Sequence, residues 1–312
     1  MRPEVSVLIS TYNRPRMLAE ALESVLSQDF GDFEVIVRDD AGRLGEAEEV
    51  IRSARDSRVI YRRNERNRGL CDTNALLYTE ARGRYLAHLD DDDRWRPQFL
   101  KRMVAALDDN PDCGIAFSNH RVTDERGNFL PEETRSGNVA WGRAGLRAGR
   151  HADGRRLAAV TRSIPVSHSA VVRAETLDLS SFVAGKARRA WDMHMAALAV
   201  RRTGWLWFES EALSFYRWGH ADQMSGQRAG DEIFDGLVWT LAELAADPCF
   251  AAERRALLRQ LSRQETLWGL HALLRQKRLG AATRLIGRAS RDLVSAVMPP
   301  ADPRRPRTAG LS

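Results

Sequence analysis

The sequence predicts an α/β fold, Rossmann-like in its alternation, with a mostly parallel sheet flanked by helices and a helical appendage at its C-terminal side. Three observations carry this. Short aliphatic runs at 5–10, 33–37 and 86–89 are the length of buried strands. Segments with apolar residues at helical spacing lie between them. Two of the runs end abruptly in carboxylates, Asp39-Asp40 and Asp90-Asp91-Asp92-Asp93, and ligands of open α/β sheets bind at the C-terminal strand edge.

Val5 to Ser10 reads as the first strand, closed by Thr11-Tyr12-Asn13-Arg14-Pro15, with Asn13 expected to cap the next helix and Pro15 in its first turn. Leu18, Leu22, Val25 and Leu26 set a helix from about Pro15 to Ser27. Phe33 to Val37 is a strand, Glu46 to Ser53 a short helix, Val59 to Tyr61 a strand and Asn67-Arg68-Gly69 a turn. A helix from about Cys71 to Ala81 then precedes the strand Leu86-Ala87-His88-Leu89. Phe99, Leu100, Met103, Val104 and Leu107 form a helical stripe stopped by Asp109-Asn110-Pro111. Ile115 to Ser118 is a strand and Glu125 to Asn128 a hairpin turn. Residues from Pro131 to Arg162, rich in Gly and Arg without periodicity, read as a long loop.

Ser169 to Val172 returns as a strand, and Trp191 to Val200 is a helix with Asp192 in its first turn. Trp205 to Phe208 and Leu213 to Tyr216 are expected to pair as two strands. Beyond Asp231, Ile233, Phe234, Leu237, Val238 and Leu241 make one helical stripe, and Leu257, Leu258 and Leu261 belong to another. A last helix over 280–297 sets Leu285, Ile286, Leu293 and Val294 against Arg284, Arg288 and Arg291. The tail, with four prolines and three arginines in its fourteen residues, is expected to be disordered. The chain therefore divides into an α/β unit at 1–226, a helical region at 227–298 and a tail at 299–312.

Across 312 residues, 48 Lys+Arg against 42 Asp+Glu give a net charge of +6 that is spread along the chain. With no basic cluster interleaved with aromatics and no known module, nucleic acid is not an expected partner. Cys71, Cys113 and Cys249 are far apart and lack C-x-x-C spacing, which argues for free thiols in a reducing compartment. No leader pattern precedes the first strand, and no apolar run reaches the ~18 residues of a membrane span. The expected location is cytoplasmic. The basic amphipathic face at 280–297 adds an expectation of peripheral contact with the inner face of an anionic membrane.

Alternate residues of an extended loop point the same way, so Asp90-Asp91-Asp92 suits a hard divalent cation, Mg²⁺ or Mn²⁺, which takes oxygen ligands and keeps room for substrate phosphates. The other reading of the same residues is a solvated acidic turn capping the helix that starts near Pro97.

With these residues in view, the chain resembles the family 2 glycosyltransferases of the GT-A fold. The matching pieces are VSVLISTYNRP (Val5 to Pro15), FGDFEVIVRDDAG (Phe30 to Gly42), ARGRYLAHLDDDDRWRP (Ala81 to Pro97), Trp191-Asp192 and YRWGHADQMS (Tyr216 to Ser225). The resemblance does not extend into the helical C-terminal region. It implies transfer of a sugar from a nucleotide-diphosphate donor to an acceptor hydroxyl with inversion at the anomeric carbon. It also implies a GT-A catalytic domain over 1–226.

Carried over, Thr11, Tyr12 and Asn13 would bind the nucleotide, and Asp40 would accept the ring N–H of its base. Uracil and thymine offer such a donor at N3, which favours UDP or dTDP and leaves GDP open. Asp39 would be structural. Asp91 would face the ribose, Asp92 would be the main metal ligand, and Asp90 a ligand through water. Arg217 and His220 would lie beside the diphosphate, with His220 completing the metal site. Asp192 would be the general base, and His168 is a candidate for lining the acceptor pocket. His88, His120, His151, His194 and His271 read as structural.

Two departures stand out. Where relatives carry an Arg-Asn pair that meets the diphosphate, this chain has Asn74-Ala75, so the charge must come from Arg68, Arg217 or an arginine of the 131–162 segment. Asp40 is followed by Ala41-Gly42 rather than Gly-Ser. Thr11 to Pro15 has no glycine, as a sugar-phosphate nucleotidyltransferase or a dinucleotide-binding dehydrogenase would require there. A degenerate nucleotide-sugar binder or scaffold without turnover is the non-enzymatic alternative. The acceptor could be a glycan, a lipid-linked glycan or a small molecule. The C-terminal helices could pack on the α/β unit, cover the acceptor site or form a homodimer interface.

Overall fold

The computed structural model describes residues 2–179, 186–219 and 230–275, the last stretch with side chains at 235–264. His220, the remainder of the YRWGHADQMS piece, the side chain of His271, the helix expected at 280–297 and the tail at 299–312 lie outside the described residues.

In order, the elements are β1 (Val5–Thr11), α1 (Pro15–Leu26), β2 (Phe33–Asp39), α2 (Glu46–Ala54), β3 (Val59–Arg63), α3 (Leu70–Glu80), β4 (Tyr85–His88), β5 (Arg94–Trp95), α4 (Phe99–Asp108) and β6 (Cys113–Thr123). There follow α5 (Pro131–Ala140), β7 (Gly149–His151), α6 (Gly154–Ala159), α7 (Val166–Ser169), β8 (Ala170–Arg173), α8 (Trp191–Val200), β9 (Trp205–Arg217), α9 (Gly230–Ala246) and α10 (Arg254–Arg275). One sheet runs β3-β2-β1-β4-β8-β6-β9-β5, with β7 on β9. Its long pairings, β1 with β2, β2 with β3 and β6 with β9, are parallel, whereas the antiparallel ones at β8, β5 and β7 involve only two or three residues each.

β1 explains the sheet's character. All seven of its residues are buried, because helices cover both faces. Val5, Val7 and Ile9 pack with Leu18, Leu22, Phe99, Leu100 and Met103 on one side. Leu8 faces the other side, with Leu77, Phe117, Met195, Leu198 and Phe208. Thr11 lies opposite Asp39 and Leu8 opposite His88 in the parallel registers, so the ends of β1, β2 and β4 form one edge. Both acidic runs are brought there.

Three expectations are corrected. The segment from Pro131 to Arg162 holds α5, β7 and α6 rather than one long loop. α5 buries no residue, so it has no apolar period to show, and α6 buries mostly small residues. Second, Trp205 to Phe208 and Leu213 to Tyr216 do not pair with each other; both belong to β9, which follows β6 through irregular register at Asn119. The polar stretch Glu209-Ser210-Glu211 between them is the irregular part. Third, Asn13 does not cap α1. Its backbone is left-handed at φ 56° and its Oδ1 accepts from the Arg43 N–H at 2.7 Å, while Arg14 occupies the capping position.

The described part of the helical region packs on the α/β unit. Leu237, Leu241, Leu244, Phe250 and Leu257 cluster with Ala159, Ala190, Met193 and Ala197. Among the described residues no helix is long and apolar enough to cross a membrane.

Gly114 sets how closely β6 approaches α8: a Cβ there would lie 1.8 Å from the Ala199 carbonyl oxygen. Because that neighbour is helix backbone, Gly114→Ala must push the helix away, and a loss of about 1–3 kcal/mol is expected in chemical denaturation. An unchanged denaturation midpoint would contradict this packing.

Candidate active site

The carboxylates beyond β4 are held by backbone. Leu89 N–H donates to Leu8 O at 3.0 Å, Asp90 N–H to Ser167 O at 2.9 Å, and Asp93 N–H back to Asp90 O at 3.1 Å. This turn groups carboxylate oxygens of Asp90, Asp92 and Asp93 within 4.8 Å of one another. Asp91 is turned inward, where it accepts from Thr11 Oγ1 at 2.6 Å and Arg14 Nη1 at 2.9 Å. Arg14 Nη1 also reaches Asp92 Oδ2 at 2.8 Å. Asp93 is buried; its Oδ1 accepts from the Arg217 N–H at 2.8 Å, and its Oδ2 has no hydrogen-bond donor among the described residues, with His168 Nδ1 at 3.6 Å. His88 Nε2 lies 3.3 Å from Asp90 Oδ1.

The two buried acids of the turn, Asp91 and Asp93, resist ionisation. Burial pushes the Asp91 carboxyl up to about 7 against the pull of Arg14. Burial and the charges of Asp92 and Asp90 also raise Asp93 well above the carboxylate range. A cation relieves both effects. Clustered hard oxygens, one of them a buried oxygen without a donor, fit a divalent ion of the Mg²⁺ or Mn²⁺ type. Of the expected metal ligands, Asp90 and Asp92 lie in this cluster and His220 lies outside the described residues; the third carboxylate of the cluster is Asp93.

At the neighbouring strand end, Asp40 accepts from Asn64 Nδ2 and the Arg68 N–H on Oδ1 and from the Gly69 N–H on Oδ2, each at 2.8 Å. A carboxylate has about four acceptor sites, so one on Oδ2 is left for a ligand. Asp39 accepts from Tyr61 Oη, Arg63 Nη1 and the Gly42 N–H, a structural arrangement. Ala41 takes the left-handed φ of 58°, which is where the departure from the usual glycine falls. Thr11 is buried, and Tyr12 is 46% exposed at the edge.

Arg217 is buried and spent on the protein. Its Nε donates to Asp92 O, its Nη1 to Glu125 O and its Nη2 to Glu20, at 2.5 to 2.9 Å. It braces the acid turn. Asn74 is fully buried, with no partner for its amide among the described residues. The cation that the structure places at the acids is Arg14, which the sequence reading passed over although it lies just past the end of β1.

Asp192, in the first turn of α8, accepts from the Met193 N–H at 2.8 Å. Burial pushes its carboxyl up to about 6; the Met193 N–H draws it down and the charge of Asp90 raises it further. It lines a cavity of about 550 Å³ together with Ser167, His168, His120, Arg143, Arg162 and Tyr216. His168, a candidate for lining an acceptor pocket, lines this cavity. His120, read as structural, also lines the cavity. His168 Nε2 and His120 Nδ1 are 3.1 Å apart, and Tyr216 stacks on His168. Burial holds both imidazoles neutral, His168 down to about 3 and His120 well below its usual range. His168 borders both the cavity and Asp93, so the cavity and the acid turn share a wall.

Residues 6–178 match the family model described as glycosyl transferase family 2. An uncharacterized glycosyltransferase of Methanocaldococcus jannaschii is 37% identical over 134 residues, 42% of this chain and 46% of that protein. The UDP-Glc:alpha-D-GlcNAc-diphosphoundecaprenol beta-1,3-glucosyltransferase WfaP of Escherichia coli is 34% identical over 118 residues, 38% of this chain and 46% of that protein. The chain thus spans about half the length of these relatives. Among solved structures, TarS 1–349 of S. aureus in complex with UDP-GlcNAc has a TM-score of 0.68 at 16% identity, covering 95% of this chain and 82% of that one. A Pyrobaculum calidifontis mannosyltransferase in complex with GDP-Man and Mn²⁺ has 0.54 at 17%, covering 95% and 84%. At such identities the structural likeness concerns the fold.

Proposed function

We propose, because this chain belongs to glycosyl transferase family 2 and has the GT-A fold, that it moves a sugar from a UDP- or dTDP-sugar to an acceptor hydroxyl with inversion. The observation that carries this is the shared wall: the acid turn on one side, and a cavity with a half-buried carboxylate, Asp192, on the other. In this reading Asp40 offers its remaining acceptor site to a pyrimidine N3–H, and Asp90, Asp92 and Asp93 hold Mg²⁺ or Mn²⁺. A divalent ion bound there neutralises the departing diphosphate. The acceptor lies in the cavity, its hydroxyl against Asp192. As that oxygen attacks the anomeric carbon, its proton passes to Asp192 and the bond from carbon to diphosphate oxygen breaks on the opposite face. One displacement inverts the centre, and no covalent enzyme intermediate is called for.

The test is a panel of UDP-, dTDP- and GDP-sugars, with and without Mn²⁺, read by thermal shift and nucleotide release. A donor at ~100 times its dissociation constant stabilises the native state by about 2.7 kcal/mol. Absence of a shift and of release with every donor would leave the scaffold reading in its place.

A pH prediction follows from Asp192. A base works only when deprotonated, and its carboxyl is raised to about 6 by burial. The value of kcat/KM should therefore be flat above that pH and fall about tenfold per unit below it. A profile flat down to pH 4.5 would remove Asp192 from the role.

A further inference from the structure

We propose that the cavity beside Asp192 binds its acceptor through an anionic group, a phosphate or a carboxylate, held by Arg143 with Arg162. The inference rests on the transferase reading above, in which this cavity is the acceptor side.

Of the other buried arginines, Arg38 pairs with Glu80 and Arg217 with Glu20, while Arg173 donates to the carbonyls of Leu107, Cys113 and Asn110 and has the exposed Glu175 at 4.0 Å; the half-buried Arg14 pairs with Asp91 and Asp92. Arg143 is 3% exposed, yet among the described residues no carboxylate lies within ion-pair distance of it. Its hydrogen-bond partners among the described residues are neutral: Asn138 Oδ1 at 3.2 Å, Ser163 O at 3.5 Å and His120 Nε2 at 3.4 Å. Burial draws it down to about 10, so it remains charged at neutral pH. A buried cation without a counter-charge is costly to keep. The cost is recovered when a ligand brings the missing anion, and a planar guanidinium matches the paired oxygens of phosphate and carboxylate.

Arg162 lines the same cavity. Its backbone is left-handed at φ 55° and its guanidinium lies 6.0 Å from the Trp141 ring. Non-glycine residues held in that conformation concentrate at ligand clamps. Among the described residues it too has no carboxylate within ion-pair distance, although Asp192 attracts it from farther away. Of the cavity's two acids, Asp192 is reserved for the acceptor proton and Glu133 is exposed on α5. Neutral His120 and His168 add no charge, so the lining has an excess of positive charge. Trp141 and Trp218 are half exposed and also line the cavity, offering flat faces to a sugar ring.

The test uses the full chain saturated with UDP and Mn²⁺, so that a phosphorylated probe cannot enter the donor site. Calorimetry then compares N-acetylglucosamine 1-phosphate, glucuronate and uncharged N-acetylglucosamine. At least one anionic probe should bind about tenfold or more tightly than the neutral sugar, the scale of one charged hydrogen-bonded contact. Which anionic probe wins separates phosphate from carboxylate. Arg143→Gln should lose that advantage while its UDP affinity stays within about twofold; Arg162→Gln serves the same purpose if the first variant does not fold. Equal binding of all three probes overturns the proposal, as does an advantage that survives in the variant. A loss of UDP affinity in Arg143→Gln also overturns it, because the arginine would then belong to the donor diphosphate. If UDP fails to bind the native protein while the anionic probe binds, the transferase reading fails and the anion site stands.

Discussion

Asp192→Asn is expected to lower kcat by about 10²–10⁴-fold, the usual contribution of a positioned base, while changing the UDP dissociation constant by no more than a few-fold. The substitution keeps the size of the side chain and its acceptor oxygen for the Met193 N–H. What it removes is the ability to take a proton. Folding should not suffer, since the carboxyl is raised to about 6 by burial. A raised carboxyl means that the fold favours the neutral form, so stability is lost as pH rises through that value and a neutral amide avoids the cost. The variant should be at least as stable as the native chain at pH 8. The measurement is kcat beside the UDP dissociation constant and the melting temperature. If more than about a third of the rate survives with chemistry rate-limiting, the base lies elsewhere.

Asp92→Asn is expected to remove most of the gain in UDP affinity that Mn²⁺ provides. Even losing a partner of a metal ligand typically costs about 10–100-fold in metal affinity, so a ligand itself should cost at least as much. In the apo protein two effects of the substitution oppose each other. Asp91 and Asp93 are both raised in part by the charge of Asp92, so neutralising it relieves repulsion, offset by the lost contact with Arg14 Nη1 at 2.8 Å. Melting curves without metal should therefore move little, and the shift on adding Mn²⁺ with UDP should shrink. Calorimetry showing equal UDP affinity with and without Mn²⁺ in the native chain would refute the metal assignment.

Much of the strand order and the acidic edge could be read from the sequence because the signals are local. β1, β2 and β4 are buried on both faces, so each holds a short apolar run, Val7 to Ile9, Val35 to Val37 and Tyr85 to Ala87. The parallel register that follows carries whatever ends those runs to one edge. Asp40, Asp90 and Asp92 are legible for that reason. Asp192 was reached through the resemblance; its short helix is buried almost all round and has no amphipathic period of its own. α5 escaped notice for the converse reason, since it buries nothing.

By itself, then, the sequence determined the α/β alternation, the strand ends that bear carboxylates and the family to which the chain belongs. Only the tertiary structure decided which groups meet. Arg14 reaches Asp91 across 77 positions and His168 reaches His120 across 48. Asp93, rather than its neighbour Asp91, joins the cluster with Asp90 and Asp92 because the Asp90-to-Asp93 turn faces Asp91 inward to Thr11. Arg143 shows the limit most clearly. In a chain with so many arginines nothing local distinguishes it, and its significance lies in burial with no carboxylate at ion-pair distance among the described residues. Burial and pairing depend on what the rest of the chain places around a side chain, and local residue patterns do not encode those distant partners.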